Sequence, residues 1–336
     1  MLNAHQLLWS GFQGKDPGEV TLPFAPGGII LFARNLDPDP VTGPARCRAL
    51  IDGLQARFGA ELPLAVAIDQ EGGRVSRLLP WTGPTPALRQ IWTRGGVEGC
   101  AHWGRLWGEG LALLGFNVDF APVLDLWDGH PDAGIGDRAA SPDPLETAQA
   151  AGAFLHGLES TGLRGCLKHF PGLGGTTLDS HLGLPALADQ AQVDRNAAAF
   201  VPTSHPDRLV MVAHLRTPAS GQLPASLHRG SVAENPWGVR GRFLPDDLEM
   251  GGCADWSWPE RVRLCLEAGH QWLLVCQSPE GQIACAEAAS ALPEALVAPA
   301  LEATRTQRRH IAPCPPFTPS AWQAWLARLQ AAAREA

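Results

Sequence analysis

The chain has 336 residues, of which 45% are hydrophobic and 18% are charged, a composition typical of a globular protein with a sizeable core. The formal net charge is −8 and Lys and Arg form no basic stripe, so nucleic acid is not expected as a partner. The amino terminus lacks the features of a secretion signal, and no apolar stretch approaches the ~18 residues of a membrane span, so no membrane association is expected.

The eight cysteines are scattered along the chain, without a C-x-x-C pair or a spacing typical of a zinc site. We therefore expect free thiols in a reducing compartment, which favours a cytoplasmic location. No metal ion and no cofactor are expected. The oligomeric state cannot be predicted from the sequence.

Short apolar runs recur along the chain and alternate with segments of helical periodicity, which is the pattern of parallel strands joined by crossover helices. The predicted strands cover residues 7–12, 28–32, 64–68, 117–121, 165–169, 209–214, 242–246 and 272–276. Eight such strands favour an α/β fold of the single (β/α)8 TIM-barrel type. A doubly wound open sheet remains possible, because a count of strands does not show closure.

The clearest helical periodicity lies in residues 41–58, 97–114, 144–161 and 258–268. After the eighth strand, residues 293–336 are Ala-rich and predicted to be mostly helical, with a break at the Pro-rich residues 312–319. No interdomain linker stands out. Residues 1–336 are therefore predicted to form one catalytic barrel domain with a helical carboxy-terminal extension at 293–336.

Polar side chains follow the predicted strands repeatedly, where a barrel of this type carries its active site. They are Asp69 after the third strand, Asp119 and Asp125 around the fourth, Lys168 and His169 in the fifth, His214 in the sixth, and Asp246 and Asp247 at the seventh. A single Asp at such a position is commonly a cap or a loop charge, but repetition favours a site. Carboxylates together with Lys, Arg and His suit a ligand rich in hydroxyl groups. No phosphate-binding glycine motif is present.

Several motifs, in this order, resemble those of family 3 glycoside hydrolases. They are Gly-Gly-Ile-Ile-Leu-Phe-Ala-Arg-Asn at 27–35, Ala-Ile-Asp-Gln-Glu-Gly-Gly-Arg-Val-Ser-Arg at 67–77, Val-Asp-Phe-Ala-Pro-Val-Leu-Asp at 118–125, Ile-Gly-Asp-Arg at 135–138, Lys-His-Phe-Pro-Gly at 168–172, Asp-Ser-His at 179–181, Pro-Ala-Ser-Leu at 224–227 and Asp-Asp-Leu-Glu-Met at 246–250. Within that family the chain is most similar to the single-domain bacterial β-N-acetylglucosaminidases of cell-wall recycling. The resemblance runs from about residue 5 to residue 280.

The resemblance implies a retaining glycosidase that releases β-linked N-acetylglucosamine from muropeptides, with a role for each matching residue. Asp246 falls on the covalent nucleophile, and Asp179 and His181 fall on the dyad that serves as acid and base. The sugar-contacting positions fall on Asp69, Arg77, Arg138, Lys168 and His169.

These residue types suit that chemistry. An ionised Asp246 at a strand end can attack an anomeric carbon, whereas Asp247 is expected to point to the opposite side of the extended backbone. His181 can give and take a proton near neutrality, and Asp179, two positions away, could orient its ring.

Residues 171–178 contain Gly172, Gly174 and Gly175, which predicts a loop without a fixed conformation that brings the dyad to bound substrate. Leu173 and Gly175 stand where the family loop has His and Asp, so altered loop behaviour is expected. Pro245 stands where the family has Ser, which removes a backbone donor but is compatible with extended geometry.

Two other interpretations remain open. A barrel that binds sugar without turnover would keep the contacts and lose the chemistry. A phosphorylase would use phosphate in place of water, since a histidine in place of a carboxylate lowers the repulsion of an incoming anion.

Overall fold

The computed structural model describes residues 3–129, 134–178, 180 and 182–335. These residues form ten strands: β1 (Leu8–Ser10), β2 (Gly28–Leu31), β3 (Ala65–Ile68), β4 (Gln70–Gly72), β5 (Val75–Ser76), β6 (Val118–Asp119), β7 (Cys166–Phe170), β8 (Leu209–Val212), β9 (Arg242–Pro245) and β10 (Leu273–Val275). They also form nine α-helices: α1 (Gly43–Phe58), α2 (Leu79–Thr82), α3 (Leu88–Leu114), α4 (Pro144–Glu159), α5 (Gln190–Ala198), α6 (Trp258–Ala268), α7 (Pro279–Ala291), α8 (Glu294–Arg309) and α9 (Pro319–Glu335). All eight predicted strands are present.

Eight of the strands run parallel in two segments, in the orders β10-β1-β2-β3-β6 and β7-β8-β9, while β4 and β5 form a separate antiparallel hairpin. The two segments meet at both margins. Next to β6, Arg164 N donates to Asn117 O at 2.9 Å and Asp119 N donates to Arg164 O at 2.9 Å. Next to β9, Gln271 N donates to Phe243 O at 2.9 Å. These bonds complete a circuit, and the predicted barrel is confirmed.

The interior of the barrel is filled by side chains from every one of its eight strands. One buried cluster contains Trp9, Ile30, Ala65, Ala67, Val118, Phe120, Cys166, Leu209, Met211, Leu244, Trp272, Leu274 and Cys276. The intervening residues of each strand face outward and pack against the helices, as Ile29 and Val66 do. Both faces of each strand are buried, which explains why the strands appear in the sequence as continuous apolar runs.

The predicted helix at residues 97–114 is the second part of α3. Gly96 has φ 54° and ψ −144°, a conformation open to glycine, and it separates the predicted helix from an additional segment that begins at Leu88. The predicted helical segment after residue 293 contains α8 and α9. Trp325 of α9 donates its indole N–H to Leu106 O at 2.7 Å, so α9 packs on α3. None of the helices in the described ranges is long and apolar enough to cross a membrane.

The helices α3 and α4 pack closely because glycines lie at their contact. A Cβ atom on Gly157 would lie 2.0 Å from Ala101 O, and a Cβ on Gly104 would lie 2.0 Å from Phe154 O. Both oxygens belong to helix backbone, which cannot shift without moving the helix. The two helices therefore reach this separation only with glycine at these positions.

Replacing Gly157 with Ala should lower the free energy of unfolding by about 2–3 kcal/mol, because the methyl group forces the helices apart. Urea unfolding followed by far-UV circular dichroism measures this. Gly99→Ala in α3 is the control, since its Cβ would be 3.4 Å from the nearest atom, an ordinary contact, and the change should stay within about 1 kcal/mol. Equal effects of the two substitutions would contradict close packing at Gly157.

Candidate active site

A cavity of ≈ 390 Å³ opens at the carboxyl ends of the barrel strands. Six of the predicted site residues line it together: Asp69, Arg77, Arg138, Lys168, His169 and Asp246. The predicted dyad, Asp179 and His181, lies outside the described residues. Ser180 between them is described, is buried, and lines the same cavity.

Lys168, in β7, is the most buried cation of the site, with 3% of its side chain exposed. Its Nζ lies 3.0 Å from Asp69 Oδ1 and 2.5 Å from Glu71 Oε1. Burial alone would lower the pKa of Lys168, but the two carboxylates outweigh it and raise the pKa above its usual range. The ammonium group therefore stays charged in the cavity.

Glu71 connects Lys168 to Arg138. The Arg138 guanidinium binds both oxygens of Glu71, with Nε to Oε2 at 2.8 Å and Nη2 to Oε1 at 2.9 Å. Burial raises the pKa of Glu71, but Arg138 and Lys168 outweigh it and hold the pKa well below its usual range. Arg138 lies on the segment after β6. Its bidentate pair with Glu71 therefore holds the guanidinium group of this loop residue at the carboxyl end of the barrel.

Glu71 is a site residue that the sequence reasoning missed. The signal was available, because positions 69 and 71 lie two apart and share one side of an extended segment. Asp69 itself accepts from Lys168 and lies 3.5 Å from Arg77 Nη2. Burial raises the pKa of Asp69, but Lys168 and Arg77 together lower it below the usual value.

The ring of His169 is held in place by the carboxylate of Asp125. Its Nδ1 lies 2.6 Å from Oδ2 of Asp125, whose side chain is fully buried. Its Nε2 lies 3.5 Å from Arg138 Nη2. The other oxygen of Asp125 accepts from the backbone N–H of Leu173 at 2.7 Å. Asp125, predicted only as a polar strand-end residue, thus orients His169 and anchors the following loop.

Asp246 follows β9 directly, and its backbone N–H donates to Val212 O at 2.9 Å. Its Oδ1 accepts from the backbone N–H of Asp247 at 2.8 Å. Pro245 is the last residue of β9 and pairs in register with Val212 of β8, so its predicted compatibility with extended geometry is confirmed. The strand β9 therefore ends one residue before Asp246, and Asp246, the predicted nucleophile, lines the cavity.

The expectation that Asp247 faces away from the cavity is wrong, since both aspartates line it. The reason is that β9 ends at Pro245 and the backbone bends at Asp246, so the two-residue alternation of a strand stops there. Asp247 Oδ1 accepts from Glu249 N at 3.1 Å and from Cys276 N at 3.3 Å. Burial, and then the charge of Glu249, raises the pKa of Asp247 to about 6.

His214 is fully buried and does not line the cavity. Its Nε2 lies 2.8 Å from Asp247 O and its Nδ1 lies 2.7 Å from Ser226 Oγ. The histidine therefore supports the backbone that carries the two aspartates. His214 was predicted to be the last residue of the sixth strand, but β8 ends at Val212, so the histidine lies two residues beyond it.

The prediction that residues 171–178 lack a fixed conformation is wrong for the first half of that loop. Asn196 Nδ2 donates to Gly172 O at 3.1 Å and to Gly174 O at 2.9 Å. Leu173 is buried in an apolar cluster with Val123, Ile135, Ala139, Leu187, Val193, Ala213 and Leu215. The segment is therefore tied to α5 and to the barrel as far as Gly174.

Lys168, Arg138 and Arg77 bring fixed donors to this cavity, and Asp69, Glu71 and Asp246 bring fixed acceptors. Such a set can bind a polyhydroxylated ligand through directional hydrogen bonds. No group of three or more His, Cys, Asp and Glu side chains arranged to hold a metal ion occurs within residues 3–129, 134–178, 180 and 182–335.

A family model described as the glycosyl hydrolase family 3 N terminal domain matches residues 19–306. The β-hexosaminidase of Alkalilimnicola ehrlichii is 35% identical over 268 residues, which are 76% of this chain and 74% of the relative. β-Hexosaminidase LpqI of Mycobacterium tuberculosis is 40% identical over 233 residues, 68% of this chain and 58% of the relative.

Solved structures agree with this relationship. The structure of M. tuberculosis LpqI superposes with a TM-score of 0.79 at 30% identity, covering 93% of this chain and 94% of the other. A family 3 β-N-acetylglucosaminidase from Paenibacillus gives a TM-score of 0.82 at 27% identity, covering 98% and 68% of the two chains. The family and enzyme class predicted from the motifs are confirmed: the chain belongs to glycoside hydrolase family 3.

Proposed function

We propose that the protein is a retaining β-N-acetylglucosaminidase that releases terminal, non-reducing β-linked N-acetylglucosamine, with muropeptides as natural substrates. The observation that carries this proposal is the position of Asp246 in one cavity with the ion-paired cluster of Lys168, Glu71 and Arg138. The similarity to β-hexosaminidases and to a family 3 β-N-acetylglucosaminidase supports the sugar and the linkage.

The ion-paired cluster would bind the sugar hydroxyls at the non-reducing end. Asp69 and Lys168 together offer an acceptor and a donor 3.0 Å apart, a spacing that suits neighbouring hydroxyl groups. Arg138 and Arg77 add donors around them, and His169 adds a ring nitrogen. Because each cation is already held by a carboxylate, the site does not need to reorganise when substrate enters, and this preorganisation favours catalysis.

Asp246 would act as the nucleophile. Its Oδ1 already accepts from Asp247 N, which leaves Oδ2 for attack on the anomeric carbon. A bond forms between Oδ2 and that carbon while the bond to the leaving oxygen breaks, and the leaving oxygen takes a proton from His181. Water then gives a proton to His181 and attacks the same carbon, which releases Asp246. Two inversions give net retention.

His181 and Asp179 would serve as the acid/base pair, with Asp179 orienting the ring and stabilising its charged form. Ser180 supports this role, because it lines the cavity and its carbonyl accepts from Gly252 N at 3.1 Å, close to the segment that carries Asp246. We also propose that residues 1–336 act as one catalytic domain. The eight cysteines are free thiols, which supports action in the cytoplasm.

The purified protein should release 4-nitrophenol and free N-acetylglucosamine from 4-nitrophenyl N-acetyl-β-glucosaminide, with the β anomer formed first. Absorbance and ¹H NMR of the initial product measure both. Running the reaction with and without inorganic phosphate tests the two open alternatives. Formation of the sugar 1-phosphate would make the enzyme a phosphorylase, and absence of any release would indicate a sugar-binding barrel.

Asp246→Ala should lower kcat by at least about 10³-fold, because it removes the carboxylate on which the glycosyl ester would form. Azide, a small anion that fits the space left by the carboxylate, should restore part of the turnover of this variant. Asp255→Ala is the control, since Asp255 is exposed on the loop that follows and should keep normal turnover. Turnover by Asp246→Ala within tenfold of the parent would rule out the assignment.

His181→Ala should lower kcat/KM for N,N′-diacetylchitobiose by about 10²–10⁴-fold, because its leaving group needs a proton. The loss should be much smaller for 2,4-dinitrophenyl N-acetyl-β-glucosaminide, whose leaving group departs as an anion. His205→Ala, with an exposed side chain, should leave both values unchanged. Equal losses on the two substrates would contradict a role for His181 as the acid.

A further inference from the structure

A second cavity, of ≈ 170 Å³, lies at the amino-terminal ends of the barrel strands. It is at the opposite end of the barrel from the candidate active site. The strand β9 shows this directly, because Arg242 at its first position lines this cavity and Asp246 just beyond its last position lines the other. Nothing in the proposed glycosidase chemistry uses these residues.

Three guanidinium groups line this cavity. Arg164 precedes β7, Arg242 begins β9, and Arg308 lies at the end of α8. The register pairs Cys166 with Leu209 and Leu209 with Arg242, so Arg164 and Arg242 lie on either side of the start of β8. Three positive charges therefore converge on one small space.

The opposing negative charge is small. Asp207 is the one carboxylate that lines the cavity among the described residues, and its Oδ1 lies 3.2 Å from Arg242 Nη2. The Asp207 side chain is 63% exposed, so water screens this pair strongly. The described lining thus carries an excess of positive charge.

Two buried donors, on residues that line the cavity, have no hydrogen-bond partner within the described part of the chain. They are Nε of Arg242 and the indole Nε1 of Trp9, a residue that is only 1% exposed. The side chain of Arg164 likewise makes no hydrogen bond or ion pair with a described residue. An unpaired buried donor costs about 1–3 kcal/mol, so an acceptor bound in this cavity would stabilise the two buried donors, and Arg164 would add a partly exposed positive charge.

Arg308 adds to this argument. It is 3% exposed, and its guanidinium donates to Pro63 O at 2.9 Å and to Leu62 O at 2.8 Å, which are carbonyls and not carboxylates. Burial, and then the charge of Arg305, lowers the pKa of Arg308. The charge of Glu61 opposes this effect, but no described carboxylate lies within ion-pair distance of Arg308, so an anion in the same cavity would stabilise this buried cation further.

We propose that this cavity binds a small organic anion through its carboxylate or phosphate group. The charged oxygens would lie between Arg164 and Arg242, beside the indole of Trp9. The rings of Trp9 and Trp272, with centroids 5.2 Å apart, would contact an apolar part of the same molecule. The volume admits only a small molecule, which excludes a sugar chain or a peptide.

The test is a titration of the ¹⁵N-labelled full chain at low ionic strength, once with inorganic phosphate and once with benzoate. The indole N–H resonance of Trp9 is assigned by its loss in Trp9→Phe. We expect a saturable shift of that resonance at millimolar or lower concentrations with at least one probe, and the tighter probe tells phosphate from carboxylate recognition. No saturable shift with either probe would overturn the proposal and would mean that the cavity holds water.

Arg164→Gln and Arg242→Gln should each weaken binding at least tenfold. Arg263→Gln is the matched control, since it removes the same charge from an exposed surface pair with Glu267 and should leave the affinity unchanged. Equal weakening in the control would assign the effect to overall charge and overturn the site. Arg164→Gln carries the test even if Arg242→Gln fails to fold, because no hydrogen bond or ion pair joins the Arg164 side chain to another described residue.

Discussion

The buried ion pairs of Glu71 with Lys168 and Arg138 are the interaction on which the active-site cavity depends. Removing each charge from water costs several kcal/mol, so none of the three side chains could remain buried and ionised alone. Together with Asp69, which also binds Lys168, the two carboxylates balance the two cations, and the pKa directions of Glu71 and Lys168 agree with an attraction that outweighs burial. Deleting Glu71 would leave two buried cations facing each other. The charged side chains of the candidate site are therefore held in place by one another.

This cluster is possible only because the barrel closes. Glu71 follows β3, Lys168 lies in β7, and Arg138 lies on the segment after β6, so the three residues are distant in the chain. The circuit of hydrogen bonds around the eight strands brings their carboxyl ends to one rim. The apolar floor formed by residues such as Met211 and Leu274 limits how deep water can reach below the charges. A low-dielectric floor strengthens the ion pairs above it.

The sequence predicted the barrel and the residues that line the cavity, because both follow from local patterns: apolar runs of strand length, and polar residues just after them. Three features did not follow from such patterns. Glu71 was missed because its partners lie 67 and 97 residues further along the chain. Asp247 was predicted to point away from the cavity. This was wrong because the backbone bends at Asp246, which ends the alternation of side chains along the strand. The first half of the glycine loop was predicted to be unfixed because the anchor, Asn196, lies on a later helix.

The anchored half of that loop also gives a physical role to Leu173, which stands where the family has a polar residue. Leu173 is buried against Val193 of α5 and Leu215 beyond β8, and its N–H binds Asp125, the carboxylate that orients His169. A polar side chain there would have to lie in the cavity or in water, whereas leucine fixes the loop by burial. The contacts from Asn196 reach as far as Gly174, and Thr176 bonds back to Leu173 O. Gly175, with φ +86°, has the conformation that lets the chain change direction at that point. Asp125 thus holds both the ring of His169 and the start of the loop that leads to the predicted dyad.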